Sequence, residues 1–139
     1  MGTTYSNSTT RARFRESTPT AAVTLTGADS GNTFFLDAAA GFTITLPSIA
    51  EGYNFRFIVA STFITTNFII DSAEGDNITG NLIVAGAAVP AAAEDQINFV
   101  ATAETVGDFI ELVADATNSQ WIVYGVGNAS GSITATDPA

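Results

Sequence analysis

Glu104, Asp108 and Glu111 are the residues with which this chain could attempt acid–base chemistry, because two carboxyl groups on opposite sides of a sugar suffice for glycoside hydrolysis. The rest of the catalytic repertoire is missing. No His, Cys or Lys occurs in the 139 residues, which removes the imidazole base, the thiol nucleophile, the Schiff-base amine and most transition-metal ligands. Three carboxylates among fourteen Asp and Glu need no catalytic explanation, since solvated loop and strand-edge charges place them equally well. The expectation is a protein that is not an enzyme.

A second cluster, Asp71, Glu74, Asp76 and Asn77, gathers hard oxygen ligands of the kind calcium takes six to eight of. Its spacing is not that of an EF-hand loop. Glu74-Gly75-Asp76-Asn77 also reads as an ordinary tight turn, so no metal and no cofactor are expected. Trp121, Tyr124 and Tyr53 could offer stacking surfaces to a glycan, although a tryptophan on an apolar strand more often belongs to a core.

The remaining chemistry is electrostatic. Arg11, Arg13 and Arg15 are three of the four basic residues, and they alternate with Ala12 and Phe14. Residues 1–20 carry about +2, while residues 21–139 carry about −12 with Arg56 as their one cation. Such asymmetry points to an interaction arm on an acidic body. The acidic body argues against nucleic acid and anionic membrane as partners, because binding either begins with neutralising phosphate charge. Residues near Met1 lack the charged and apolar regions of a signal peptide, and the longest apolar run, Leu82 to Ala93, is broken by Gly86 and Pro90.

Charge alone is a weak hold for such an arm. Exposed ion pairs contribute about 0–1 kcal/mol each, whereas ordering one backbone residue costs about 1–2 kcal/mol. The arm therefore has to add main-chain hydrogen bonds at a sheet edge, or bury Tyr5 and Phe14, while Arg11, Arg13 and Arg15 select an acidic surface. In extended conformation the three arginines share one face. The competing reading is a solvated charge run with no partner.

The elements that would carry these residues are strands. Residues 1–20 are rich in Ser and Thr and read as an extended N-terminal arm. From Ala21 to Val126 the pattern is period two, as in Val23-Thr24-Leu25-Thr26 and Phe42-Thr43-Ile44-Thr45-Leu46. Tyr53 to Ala60 reads as a central strand, Leu82 to Ala85 as a short edge strand, and Ala87 to Asp95 as a possible helical turn. Phe109 to Val113 and Trp121 to Val126 are apolar on both faces, which places them inside a sandwich or at an interface. Residues 127–139 return to Gly, Ser, Thr and Pro and form a tail or an edge strand. About nine strands spaced by turn signals predict an all-β fold, an antiparallel β-sandwich or jelly-roll-like barrel.

Composition adds a hint of self-association. Hydrophobic residues make up 46% and charged residues 13%, high and low for a small acidic domain, so apolar surface between copies is expected. With no cysteine, disulfides cannot contribute.

Several segments together carry a family likeness. Leu25-Thr26-Gly27, Asp29-Ser30-Gly31-Asn32-Thr33-Phe34-Phe35-Leu36 and Gly41-Phe42-Thr43-Ile44-Thr45-Leu46-Pro47 are followed by Glu51-Gly52-Tyr53-Asn54-Phe55-Arg56-Phe57-Ile58-Val59. Gly75-Asp76-Asn77-Ile78-Thr79-Gly80 continues the rhythm. Across residues 22–126 the chain resembles small head decoration (cement) or fibre-type structural proteins of tailed bacteriophages. The likeness is a rhythm of turns and strands, not a catalytic signature. It implies a noncatalytic virion protein on the outer surface of the capsid, with the major capsid protein as partner and a homo-oligomer, a trimer, as its form. The alternative it leaves open is a glycan-binding, fibre or tail module. Capsid contact would then fall to Tyr5, Arg11, Arg13, Phe14 and Arg15.

Overall fold

The computed structural model describes residues 15–75 and 77–138 of the chain. Twelve strands follow one another: β1 (Arg15–Ser17), β2 (Val23–Thr24), β3 (Asn32–Leu36), β4 (Thr43–Leu46), β5 (Asn54–Val59), β6 (Phe68–Ser72), β7 (Ile78–Val84), β8 (Ala87–Glu94), β9 (Gln96–Phe99), β10 (Phe109–Asp115), β11 (Gln120–Gly127) and β12 (Ile133–Thr136). They form a seven-stranded sheet in the order β1-β3-β5-β10-β11-β7-β8 and a five-stranded sheet in the order β12-β9-β6-β4-β2. The two sheets pack as a β-sandwich, so the all-β expectation holds.

The pairing is not antiparallel throughout. From β1 to β6 the chain crosses to the other sheet at every step, so β1, β3 and β5 lie parallel in one sheet and β2, β4 and β6 lie parallel in the other. Val23 comes to rest beside Ile44, 21 residues on, and Phe34 beside Phe57, 23 residues on. The first half of the body is thus a short two-layer coil. Antiparallel pairing enters only in the second half, where β10 and β11 form a hairpin between β5 and β7, and β9 seals β6.

Alternation decides what is buried. Phe55, Phe57 and Val59 of β5, Ile110 and Leu112 of β10, and Trp121 and Val123 of β11 meet Ile44, Leu46, Phe68, Ile70, Ile97 and Phe99 of the other sheet in one core. Phe34 stacks on Phe57 at 5.2 Å between ring centroids, and Phe63 meets Phe68 edge-on at 4.8 Å. Such side chains contribute roughly 1.5–3 kcal/mol each on burial. They fix the register, because a slip of one residue would turn each set to solvent.

Two sequence expectations are corrected around Gly86. Leu82 to Val84 belongs to the longer β7, which lies inside the sheet between β11 and β8, while Ala85 is already in the turn, and it is β8 that forms the edge. Ala87 to Asp95 is no helical turn, since Ala87–Glu94 is that edge strand. The reason is the connection. Ala85 and Gly86 both take positive φ, 51° and 79°, and Val84 pairs with Ala87 across them. Two such residues make the tight turn whose twist matches a hairpin, which overrides the helical preference of alanine. Pro90 is tolerated because β8 has only one neighbour.

Candidate interaction surface

Of the basic segment, Arg15 falls within the described residues; Tyr5, Arg11, Arg13 and Phe14 lie outside them. Arg15 opens β1, which adds in parallel to the edge strand position beside β3, with Arg15 opposite Asn32 and Ser17 opposite Phe34. Its guanidinium donates to the carbonyl oxygens of Ser30 at 2.5 Å and Ala28 at 3.1 Å. These carbonyls end the 3-10 turn Gly27–Asp29, whose own entry is closed by Thr26 N–H donating to the Asp29 carboxylate at 2.9 Å. Arg15 is therefore an anchor within its own body. The main-chain ladder that an arm needs is supplied here by the chain's own β3.

The carboxylates that could have formed a catalytic pair are separately engaged. Glu104, 6% exposed, accepts the Phe63 N–H at 2.7 Å. Asp108, 4% exposed, accepts from the N–H groups of Thr105 at 2.9 Å and Asn128 at 3.0 Å, tying two loops together. Glu111 pairs with Arg56 across the β5–β10 ladder. The oxygen cluster near Asp71 is likewise engaged within the chain: Asp71 accepts from Gln96 Nε2 at 2.9 Å, Glu74 from Ile49 N–H at 3.1 Å, and Asn77 Oδ1 from the Ser72 hydroxyl. Asp76 lies outside the described residues. Among the described residues no three His, Cys, Asp or Glu side chains stand together as a metal site.

Trp121 takes the core position expected of a tryptophan on an apolar strand and offers no stacking surface. Its side chain is fully buried, 5.8 Å from Phe55 between ring centroids, because its position on β11 faces the other sheet. Tyr53 packs across Gly27, where even a methyl group would overlap its ring. Tyr124 alone of the three is more than half exposed, with Phe109 at its edge.

What remains is the outer face of the seven-stranded sheet. One register row crosses six strands as Phe35, Ile58, Phe109, Val126, Ile83 and Ala88, all apolar. The next row holds Thr33, Arg56, Glu111, Tyr124, Asn81 and Pro90, and the third includes Val113 and Ile122. Val113 is 53% exposed, Tyr124 52%, Ile122 39% and Ile83 37%. The double-faced apolar strands noted in the sequence are the signal that leads here. No family model, curated protein or solved structure matches the chain.

Proposed function

We propose that this chain is a noncatalytic structural protein of a tailed-bacteriophage virion, which decorates and stabilises the outer surface of the capsid. Its acidic body self-associates, and residues 1–14 dock on the major capsid protein. The observation that carries this reading is β1. Arg15, the last arginine of the basic segment, opens an extended edge strand and is pinned there, so residues 1–14 join the body at the rim of a sheet, where strand addition to a partner is available. The engagement of Glu104, Asp108 and Glu111 in backbone and ion-pair contacts supports a structural role. The arms of one assembly acting together would raise avidity by about 10²–10⁴ without new contacts.

The test is removal of residues 1–14, a cut that spares β1, followed by mixing with particles that lack the protein. The reading expects loss of particle binding by a chain whose melting curve is unchanged. Full occupancy by the truncated chain would overturn it.

A further inference from the structure

We infer that the outer face of the seven-stranded sheet is the surface through which copies of this chain contact one another. The inference deepens the self-association in the proposed function and rests on that part alone, not on capsid docking. It starts from charge. At a net charge of −10, two copies repel at long range, so a stable contact has to form where neither presents net charge. The three register rows between β3 and β8 meet that condition. Their charged residues are Arg56 and Glu111, bonded to each other, while Glu16, Asp115 and Glu94 stand at the margins on β1, at the end of β10 and at the end of β8.

The occupant follows from the same pair. At the centre of the face a strongly basic partner would find one carboxylate and an acidic partner one guanidinium, each matched by the other, with Glu16, Asp115 and Glu94 outside it at the margins. A second copy presents the same apolar row and the same adjacent cation and anion, which makes the face self-complementary in both respects. An apolar centre inside a polar rim is the anatomy of protein interfaces, and the centre is most apolar in contacts between identical subunits.

Area agrees. Six strands span roughly 30 Å and three rows about 20 Å, so each copy can bury about 600 Å² and a pair about 1,200 Å², the lower bound for a specific, stable interface. The face also continues past Phe109 into a depression that Val106, 59% exposed, and Asn128 help to line, where a neighbour's side chains would gain further cover.

The experiment measures the mass of the full chain by sedimentation equilibrium, beside the Ile122→Glu variant and two single-cysteine variants, Tyr124→Cys and Ile64→Cys. The chain has no other thiol, so maleimide labelling reports one position at a time. The expected result is an oligomer of the full chain, a fall to the 14.3 kDa monomer for Ile122→Glu, and slow labelling at position 124 that speeds on dilution, with fast labelling at the exposed position 64 throughout. A monomeric full chain overturns the inference. So does a folded Ile122→Glu variant that keeps its oligomeric mass. Should Ile122→Glu fail to fold, the cysteine pair decides: equal labelling at 124 and 64 in the undiluted protein contradicts the inference, and protection at 124 alone upholds it. Capsid binding by residues 1–14 is read separately, by particle occupancy, and either result can fail without the other.

Discussion

Arg56 and Glu111 stand directly opposite each other on neighbouring strands, and the Arg56 Nε donates to the Glu111 carboxylate at 2.7 Å in the middle of an otherwise uncharged face. Each side chain is 37% exposed. In the isolated subunit such a pair is screened by water and is worth about 0.2–1 kcal/mol. Glu111→Gln is therefore expected to lower the urea midpoint of the monomer only slightly, with an unchanged m-value, while weakening association more. A large loss of monomer stability would show that the pair holds the fold.

Asp108 has the opposite character. Its buried carboxylate holds the Thr105 and Asn128 N–H groups from two loops, and Asp108→Ala leaves both donors without that partner. Hydrogen bonds to charged groups contribute about 1.5–3 kcal/mol each, so equilibrium unfolding should show a cost of at least about 2 kcal/mol. Glu104→Gln keeps an acceptor for the Phe63 N–H and removes a buried charge, and its expected cost is under about 1 kcal/mol. A larger loss for Glu104→Gln than for Asp108→Ala would contradict these assignments.

Gly80 and Gly86 both take positive φ, 156° and 79°, and differ in what a side chain would meet. A methyl group on Gly80 would lie 2.0 Å from the Val123 carbonyl oxygen, where β7 and β11 pair in parallel. The same group on Gly86 meets nothing within 4 Å, and its cost is that of an L-residue at φ +79°, about 1–2 kcal/mol. Thermal unfolding should place Gly80→Ala well below Gly86→Ala. Equal melting temperatures would mean that β7 can draw away from β11 without cost.

Much of the fold was legible in period-two alternation, which marks a half-buried strand whatever its neighbour. Strand direction was not, since parallel and antiparallel pairs bury the same alternate residues. A signal did exist: Val23-Thr24-Leu25 recurs as Ile44-Thr45-Leu46, and Phe34-Phe35-Leu36 as Phe57-Ile58-Val59, at spacings of 21 and 23 residues. Near-repeats of that length mark a coil in which each turn stacks on the last. The fate of the carboxylates could not be read in the same way. Glu104 meets the backbone of Phe63, 41 residues away, and no local pattern announces such a partner.

Asp115 supplies a pH dependence. Hydrogen bonds from the Asn118 and Gln120 side chains hold its carboxyl below its ordinary value of 3.8. A depressed carboxyl stabilises the folded state above that ordinary value, and the contribution is lost as pH falls through the lower, folded one. Asp115→Asn should flatten this acid limb of the stability profile and lower stability in the neutral range by the contribution the carboxylate supplies there, which denaturation at neutral and at acid pH would show. An identical acid limb in the variant would remove Asp115 from the account.

The central claim is location on the particle. Electron cryo-microscopy of tailed-phage particles lacking the protein, taken before and after addition of the full chain, reads it directly. The account predicts added density at symmetry-related sites on the outer capsid surface, with a thin connection running from each sandwich to the capsid protein. Density confined to the tail or its fibres, or capsids indistinguishable from untreated ones, would contradict it.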